Sequence, residues 1–567
     1  MLGLMQYEQM MISDFIVHAA RHHARAEVVS RLAEGIHRQT YRDTELRARK
    51  LAQALGRLDV KPGDRVATLA WNTYRHLELY FAISGSAAVV NTVNPRLAPE
   101  DIAYILGHAE DHVLFAEVEF APLVADVAGR LPAGVLRTVV FLCAGHAVPR
   151  VALPGGIDVM AYDALVDAED GDYAWPRFDE RSASALCYTS GTTGRPKGVL
   201  YTHRSTTLKA MAMNAADAAG LRAVDRLMPA VPMFHVNAWS LPYAATIAGT
   251  ALVMPGRFLD GASLYRLIED ERVTFACGVP SVWLGVLAHV RKTGARFSTL
   301  QRMAVGGSAC PESMFDAYDA LGVTIMHAWG MTESSPVATV SNPIAGVDPA
   351  TARRQRLSQG RALFGVDLRA TRGSTEVSWD GETSGDIELR GHWIATGYYQ
   401  LPSGTTPDGW FPTGDVGMFD ANGFVLLTDR SKDLIKSGGE WISSIDLENI
   451  AMGHPVVAEA AVIAAKHPKW DERPLLIVAL KPGASATREE LLAIYEGKVA
   501  RWAVPDDVVF VEELPHGATG KLLKTALRAR YGDHLVRGKT AGASSAEPPP
   551  SIGAEDVDDE APRRRPT

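Results

Sequence analysis

Apolar positions recur along the chain in short continuous runs separated by longer amphipathic stretches. Leu51, Ala54, Leu55 and Leu58 stand at i, i+3, i+4 and i+7, the spacing of one helix face. Residues 65–70 read as a buried strand, 73–84 as a helix, and 87–93, 113–116 and 138–143 as further strands. The same alternation continues through strand-like runs at 183–187, 199–202, 226–231, 250–254, 273–278, 302–305 and 323–328. Strands spaced by helical segments predict an α/β fold of parallel sheets covered on both faces. Several runs end in polar or glycine-rich turns: PMFHVNAW, CGVPSVW, GGSACPE and HAWGMTESSP. In open α/β sheets ligands gather at the carboxyl ends of strands, so these turns are candidates for one shared site.

From about 355 to 428 the pieces shorten and Gly and Asp crowd together, which predicts a β-rich module. A boundary is expected at Asp429, followed by a compact α+β unit. Helices are predicted at 444–452 and 488–503, strands at 462–465, 475–480 and 508–511, and a basic helix at 521–530. This divides the chain into 1–428, 429–537 and a Pro-, Ser- and acid-rich tail, 538–567. The tail holds too few large apolar groups to offset the entropy of ordering it.

Composition narrows the class. At 567 residues the chain exceeds what one core supports, and 47% hydrophobic with 22% charged residues suits several lobes. A formal net charge of −9 gives no broad attraction to nucleic acid. The four cysteines are dispersed without a C-x-x-C pair, which points to a reduced, cytoplasmic chain rather than a zinc knuckle. No apolar run approaches the roughly 20 residues that cross a bilayer, so peripheral contact is the only membrane contact expected.

The most chemically loaded stretch is YTSGTTGRPKG (188–198), set between two strands. Glycines admit close approach of backbone N–H groups, hydroxyls donate to oxygens and Lys197 adds a mobile charge, so the loop suits a polyphosphate. Its order is not that of a Walker A loop. Three further motifs follow in line: HAWGMTESS (327–335), the run from DGWFPTGDVG to SGGEW (408–441), and PHGATGK (515–521).

Together these four motifs closely resemble the adenylate-forming superfamily of acyl-CoA synthetases, aryl-CoA ligases, luciferases and nonribosomal adenylation domains, over roughly residues 10–535. PMFHVNAWSLPYAA and SGGEWISSIDLEN are most similar to the branch of bacterial medium- and long-chain fatty-acyl-CoA ligases and methylmercaptopropionate-CoA ligases. The resemblance implies a large N-terminal domain of two α/β lobes plus a β-barrel-like lobe, and a small mobile C-terminal domain hinged at Asp429. It implies ATP and Mg²⁺, with CoA as co-substrate: a carboxylate attacks the α-phosphate to give acyl-AMP, then the CoA thiol displaces AMP. The resemblance also implies a homodimer.

Carried onto this sequence, the resemblance puts Thr189, Ser190, Gly191, Thr192, Thr193, Gly194 and Lys197 around the β- and γ-phosphates. Gly307, Ser308 and Ala309 flank the adenine, with His327, Ala328, Trp329, Gly330 and Met331 opposite. Thr332 touches phosphate, and Glu333 with Thr189 holds the metal. Asp415 accepts from the ribose hydroxyls, Arg430 reaches ribose or phosphate, and Lys432 and Lys436 line the nucleotide path. Lys521 bridges substrate carboxylate and α-phosphate. The acyl pocket comprises His235, Val236, Trp239, Gly278 and Gly307, with Trp239 either a gate or a core residue, and His235 either a carboxylate-positioning group or a core hydrogen-bonder. Lys436, Gly438, Gly439 and Trp441 line the CoA entry. The pocket segments hold no charged partner for an amine, which argues against an amino-acid substrate. Alternatives are a ligase for a short thioether or aryl acid, and a non-catalytic nucleotide- or acyl-binding regulator.

Overall fold

The computed structural model describes residues 1, 3–189, 195–437, 440–517 and 521–537. Two large sheets form the first part of the chain. In the first, strands run in the order Asp158–Ala161, Thr138–Phe141, Val113–Ala116, Arg65–Leu69, Val89–Thr92, Ala183–Tyr188 and Gly198–Thr202. All neighbours are parallel except the last pair, an antiparallel hairpin whose connection carries the 188–198 motif.

The second sheet is nine-stranded, with a parallel centre of Thr324–Gly330, Arg302–Gly306, Phe275–Gly278, Arg226–Pro229, Ala251–Met254 and Glu27–Arg31. Antiparallel strands close both of its edges. Central strands such as Phe275–Gly278 are buried along their whole length, as a sheet covered on both faces requires. A third lobe is a five-stranded antiparallel sheet ending in Phe411–Phe419 and Val425–Arg430.

Beyond it, Val457–His467 pairs antiparallel with Asp471–Leu480, and Asp507–Val511 adds in parallel. This sheet has two apolar clusters of its own, one under each face. Asp429 lies in the last strand before this unit, buried, where its carboxylate accepts from the backbone N–H of Ser444 at 2.7 Å and of Arg430 at 2.8 Å. It thereby helps cap the helix Ser444–Met452.

Two expectations are corrected. The helix predicted over 488–503 spans only Arg488–Ala493, with a 3₁₀ turn at Arg501–Ala503. Gly497, at φ +72°, sits between them in a conformation a right-handed helix cannot continue through. The basic helix is Lys524–Tyr531, so Lys521 precedes it. The Lys521 carbonyl instead accepts from Gly517 N–H at 2.7 Å, and Leu523 N–H donates to the Pro515 carbonyl at 2.8 Å, which closes a tight loop. The predicted tail, 538–567, lies outside the described residues.

Candidate active site

The carboxyl ends of the nine-stranded sheet, the hairpin carrying residues 188–198, the third lobe and the C-terminal unit converge on one cleft of about 280 Å³. Thr189, Lys197, His235, Val236, Trp239, Gly307, Ala328, Trp329, Gly330, Met331, Thr332, Glu333, Arg430 and Lys521 all line it. A smaller cavity of about 120 Å³ continues from it past Ser308, Ala309, His327, Asp415 and Asp429, sharing Trp329, Arg430 and Lys521. Residues scattered over more than 300 positions therefore face one space.

The mouth of the 188–198 loop is pinned. Thr189 N–H donates to the Lys197 carbonyl at 2.9 Å, extending the hairpin by one rung. Ser190, Gly191, Thr192, Thr193 and Gly194 lie outside the described residues, as do Gly438 and Gly439. The Lys197 ammonium stands 4.9 Å from the ring centre of Tyr398. The Tyr398 hydroxyl in turn donates to Glu333 Oε1 at 2.6 Å, and Glu333 lines the cleft.

Glu333 reaches the cleft because strand Thr324–Gly330 ends in a sharp turn. A Cβ on Gly330 would sit 1.7 Å from the Pro336 carbonyl oxygen, so no larger residue permits that approach. The Thr332 carbonyl accepts from Tyr201 OH at 2.6 Å, which ties the same turn to the first sheet.

Asp415 is buried and held from two sides. Trp329 Nε1 donates to its Oδ2 at 2.9 Å, and Arg430 Nε lies 3.1 Å from its Oδ1. Each oxygen keeps lone-pair capacity beyond its one protein donor, so the carboxylate can still accept from a vicinal diol. Trp329 is thus an anchored wall of the cavity as well as a core residue.

Lys521 enters the cleft from the C-terminal unit. Desolvation, and then the Arg430 guanidinium, pull its pKa down to about 8, against the opposing pull of Asp415 and Glu333. Burial and the nearby Lys521 push His235 down to about 3, so its imidazole is neutral and offers a hydrogen bond, not a charge.

Not every expected residue joins the site. Gly278 ends its strand under Trp283, whose Nε1 is 2.9 Å from the place a Cβ would occupy, and it does not line the cleft. Lys436 stacks on Trp441 at 4.8 Å, and Trp441 is half-exposed in a separate groove that also holds Trp502. Lys432 and Lys436 do not line either cavity. His516 pairs with Glu459 at 3.3 Å within the C-terminal unit, which raises its pKa. Cys310 is buried in the apolar cluster under the nine-stranded sheet.

Tyr398 was not legible in the sequence. It lies 65 positions from Glu333 with no spacing that links them. Arg96 is a second such residue: its guanidinium lies 5.5 Å from the Trp71 ring and 5.9 Å from the Phe234 ring, next to His235, and pairs with no carboxylate among the described residues.

The backbone around Trp239 is the least ordinary part of the site. Val236, Asn237, Ala238, Trp239 and Ser240 all have φ between 45° and 61°, a left-handed turn of five non-glycine residues. Asn237 Oδ1 accepts from Cys187 Sγ at 3.1 Å and from Tyr80 OH at 3.3 Å. Met233 N–H donates to Asn72 Oδ1 at 2.6 Å. These contacts over-determine a conformation that the residues would not adopt alone.

Comparison with known proteins identifies the family of the chain. A medium-chain-fatty-acid–CoA ligase of Ectopseudomonas oleovorans is 47% identical over 548 residues, 95% of this chain and 100% of that protein. A 3-methylmercaptopropionyl-CoA ligase of Ruegeria lacuscaerulensis is 47% identical over 543 residues, 94% of this chain and 100% of that protein. The crystal structure of an anthranilate CoA ligase in complex with anthranoyl-AMP shares the fold, with a TM-score of 0.82 at 23% identity, covering 94% of this chain and 99% of that one. The AMP-binding enzyme family matches residues 15–399 and the AMP-binding enzyme C-terminal domain matches 446–521; the chain belongs to the AMP-binding enzymes.

Proposed function

We propose that the protein is an AMP-forming acyl-CoA ligase that activates a medium- or long-chain fatty acid through an acyl-adenylate. The observation that carries this reading is Lys521, from the far end of the chain, standing in the same cleft as Lys197, Thr332, Glu333 and Arg430. Two anions, carboxylate and triphosphate, must meet there, and four cations, Arg195, Lys197, Arg430 and Lys521, line the space in which they would do so. Fixed charges of this kind lower the barrier to in-line displacement at phosphorus by positioning and by offsetting developing charge.

In this reading Thr189 to Lys197 and Thr332 take the phosphates, Asp415 the ribose hydroxyls, and Trp329 with Gly307, Ser308 and Ala309 the adenine. Mg²⁺ fits the donors present, because it commonly takes one or two carboxylates with substrate phosphates completing its shell. Glu333, oriented by Tyr398, and the Thr189 hydroxyl would hold it, and when bound it would supply charge neutralisation at the triphosphate. Neutral His235 orients the substrate carboxylate by hydrogen bonding.

For the second half-reaction the unit from 430 onward turns about Asp429, withdrawing Lys521 and bringing Lys436, Trp441 and the intervening Gly438–Gly439 segment toward the cleft as the path of the CoA thiol. The same residues would serve a short thioether acid, and the equal identity to a 3-methylmercaptopropionyl-CoA ligase keeps that as a second reading.

Pyrophosphate release with acids from propionate to palmitate and with cinnamate, with and without CoA, tests both. A maximum at eight carbons or more supports the first reading, and a maximum at propionate-sized or thioether acids supports the second. Absence of release with every acid would return the protein to a binding role.

A further inference from the structure

Behind Trp239 the core contains a group that an all-hydrocarbon acyl site would not need. Lys209, on the helix His203–Met213, is fully buried. Its Nζ donates to the Met213 sulfur at 2.9 Å and stands 5.5 Å from the ring centre of Trp393. No carboxylate among the described residues pairs with it. Burial alone pulls its pKa well below the ordinary lysine value, as expected for an ammonium without a counter-ion. Its one hydrogen bond goes to a weak sulfur acceptor, which leaves N–H capacity on the amine unspent.

A second donor lies beside it. Trp393 is buried, and its Nε1 has no hydrogen-bond partner. The amine lies over the indole ring and the indole N–H is unmatched, so two buried donors with no oxygen acceptor among the described residues stand close together, and a buried donor left unmatched is costly.

Their place in the fold ties them to the cleft. The helix of Lys209 packs on the left-handed turn of Trp239 and on the helix Leu241–Ala248. The Trp393 carbonyl accepts from Ser335 Oγ at 2.8 Å, and Ser335 directly precedes Pro336 and Val337, which line the cleft together with Trp239. Ala395 N–H donates to the Glu333 carbonyl at 2.8 Å. Lys209 and Trp393 thus form the layer immediately behind the cleft wall of Trp239, Pro336 and Val337.

We propose that Lys209 and Trp393 are the distal end of the acyl pocket and select acids that carry an oxygen acceptor remote from the reacting carboxylate. The inference rests on the ligase reading and specifies its substrate class. An ω-hydroxyl or ω-oxo oxygen would accept from these unmatched donors. A distal carboxylate would instead supply the counter-ion that the buried amine lacks among the described residues.

The test is a series of saturated acids of increasing length, each matched with its ω-hydroxy, ω-oxo and ω-carboxy counterpart, with pyrophosphate release followed for wild type, Lys209→Met and Trp393→Phe. Lys209→Met keeps the volume and Trp393→Phe removes the N–H, and thermal melting confirms that both variants fold. In wild type, at least one chain length is expected to show a tenfold or larger kcat/KM advantage of the oxygenated acid over its plain match. That ratio falls about tenfold in Lys209→Met and severalfold in Trp393→Phe, while the plain acid is held or improved.

Preference for the hydroxy and oxo acids identifies a neutral acceptor, and preference for the ω-carboxy acid identifies an anion; either supports the inference. A wild type that turns over plain acids with no advantage for any oxygenated match overturns it and leaves the ligase reading intact. So does an advantage that both variants keep within twofold. No pyrophosphate with any acid overturns the ligase reading, and the inference with it.

Discussion

The left-handed turn at 236–240 makes a quantitative demand that a matched pair of substitutions can check. In each of its five residues the Cβ crowds the following carbonyl, at about 1–2 kcal/mol per residue relative to right-handed backbone. Ala238→Gly removes that crowding at one position. It also removes one buried methyl, about 0.8 kcal/mol, and adds chain entropy to the unfolded state, about 0.5–1 kcal/mol. The contributions nearly cancel, so the variant should lie within about 1 kcal/mol of wild type. Ala244 supplies the control, since it is equally buried but sits in the right-handed helix Leu241–Ala248. Ala244→Gly suffers both losses without the relief, a destabilisation of about 1.3–1.8 kcal/mol. Urea titration followed by tryptophan fluorescence should place the Ala238→Gly midpoint close to wild type and the Ala244→Gly midpoint clearly below it. Equal losses in the two variants would refute the strained turn.

Four further outcomes follow from the site. Lys521→Ala should lower pyrophosphate formation at least 100-fold, the scale of losing one fixed charge-stabilising group, while supplied acyl-AMP is still converted to acyl-CoA; parallel loss of both half-reactions would show that Lys521 serves the fold. Lys521 must be cationic to bridge two anions and titrates near 8 in the unliganded protein, so kcat/KM for adenylation should fall tenfold per unit above about pH 8, and Lys521→Arg should remove that limb from the profile. Tyr398→Phe deletes the hydroxyl that holds Glu333 at 2.6 Å, and the Mg²⁺ concentration for half-maximal adenylation should rise about tenfold or more. Asp429→Pro fixes φ at the expected pivot, so one half-reaction should survive and the other fall; unchanged rates in both would remove Asp429 from the hinge.

How far the sequence reached depended on whether the signal was local. Strands 113–116 and 138–143 and the helix at 444–452 were legible because periodicity and burial coincide within a few residues. The Lys521 loop was misread as helix because a basic, helix-favouring composition continues across 521–530, while the hydrogen bonds that shape the loop come from residues 515 and 517. The motifs brought Thr332, Asp415 and Lys521 to one site by resemblance, but no local pattern joins Tyr398 to Glu333. The left-handed turn was equally hidden. Val-Asn-Ala-Trp-Ser contains no glycine, so nothing in the sequence announces positive φ, and the conformation is imposed by Tyr80, Cys187 and Asn72 from elsewhere in the chain.

Strain at Trp239 and the buried amine behind it bear on the same question of what the acyl pocket admits. If Trp239 is the gate that the family resemblance implies, a ligand reaching beyond it moves that side chain, and any relaxation of the left-handed turn as it moves offsets part of the work. Short acids do not reach the turn and leave the strain in place. Acids long enough to displace Trp239 meet next the layer that holds Lys209 and Trp393. There an oxygen acceptor would match donor capacity that hydrocarbon leaves unspent, so a plain chain is penalised at the point where a functionalised one is favoured. Chain length and distal polarity are therefore coupled: oxygenation should matter little for acids that stop before Trp239 and most for those that pass it. A Trp239→Ala variant, with the wall removed, should show the oxygen preference at shorter chain lengths than wild type does.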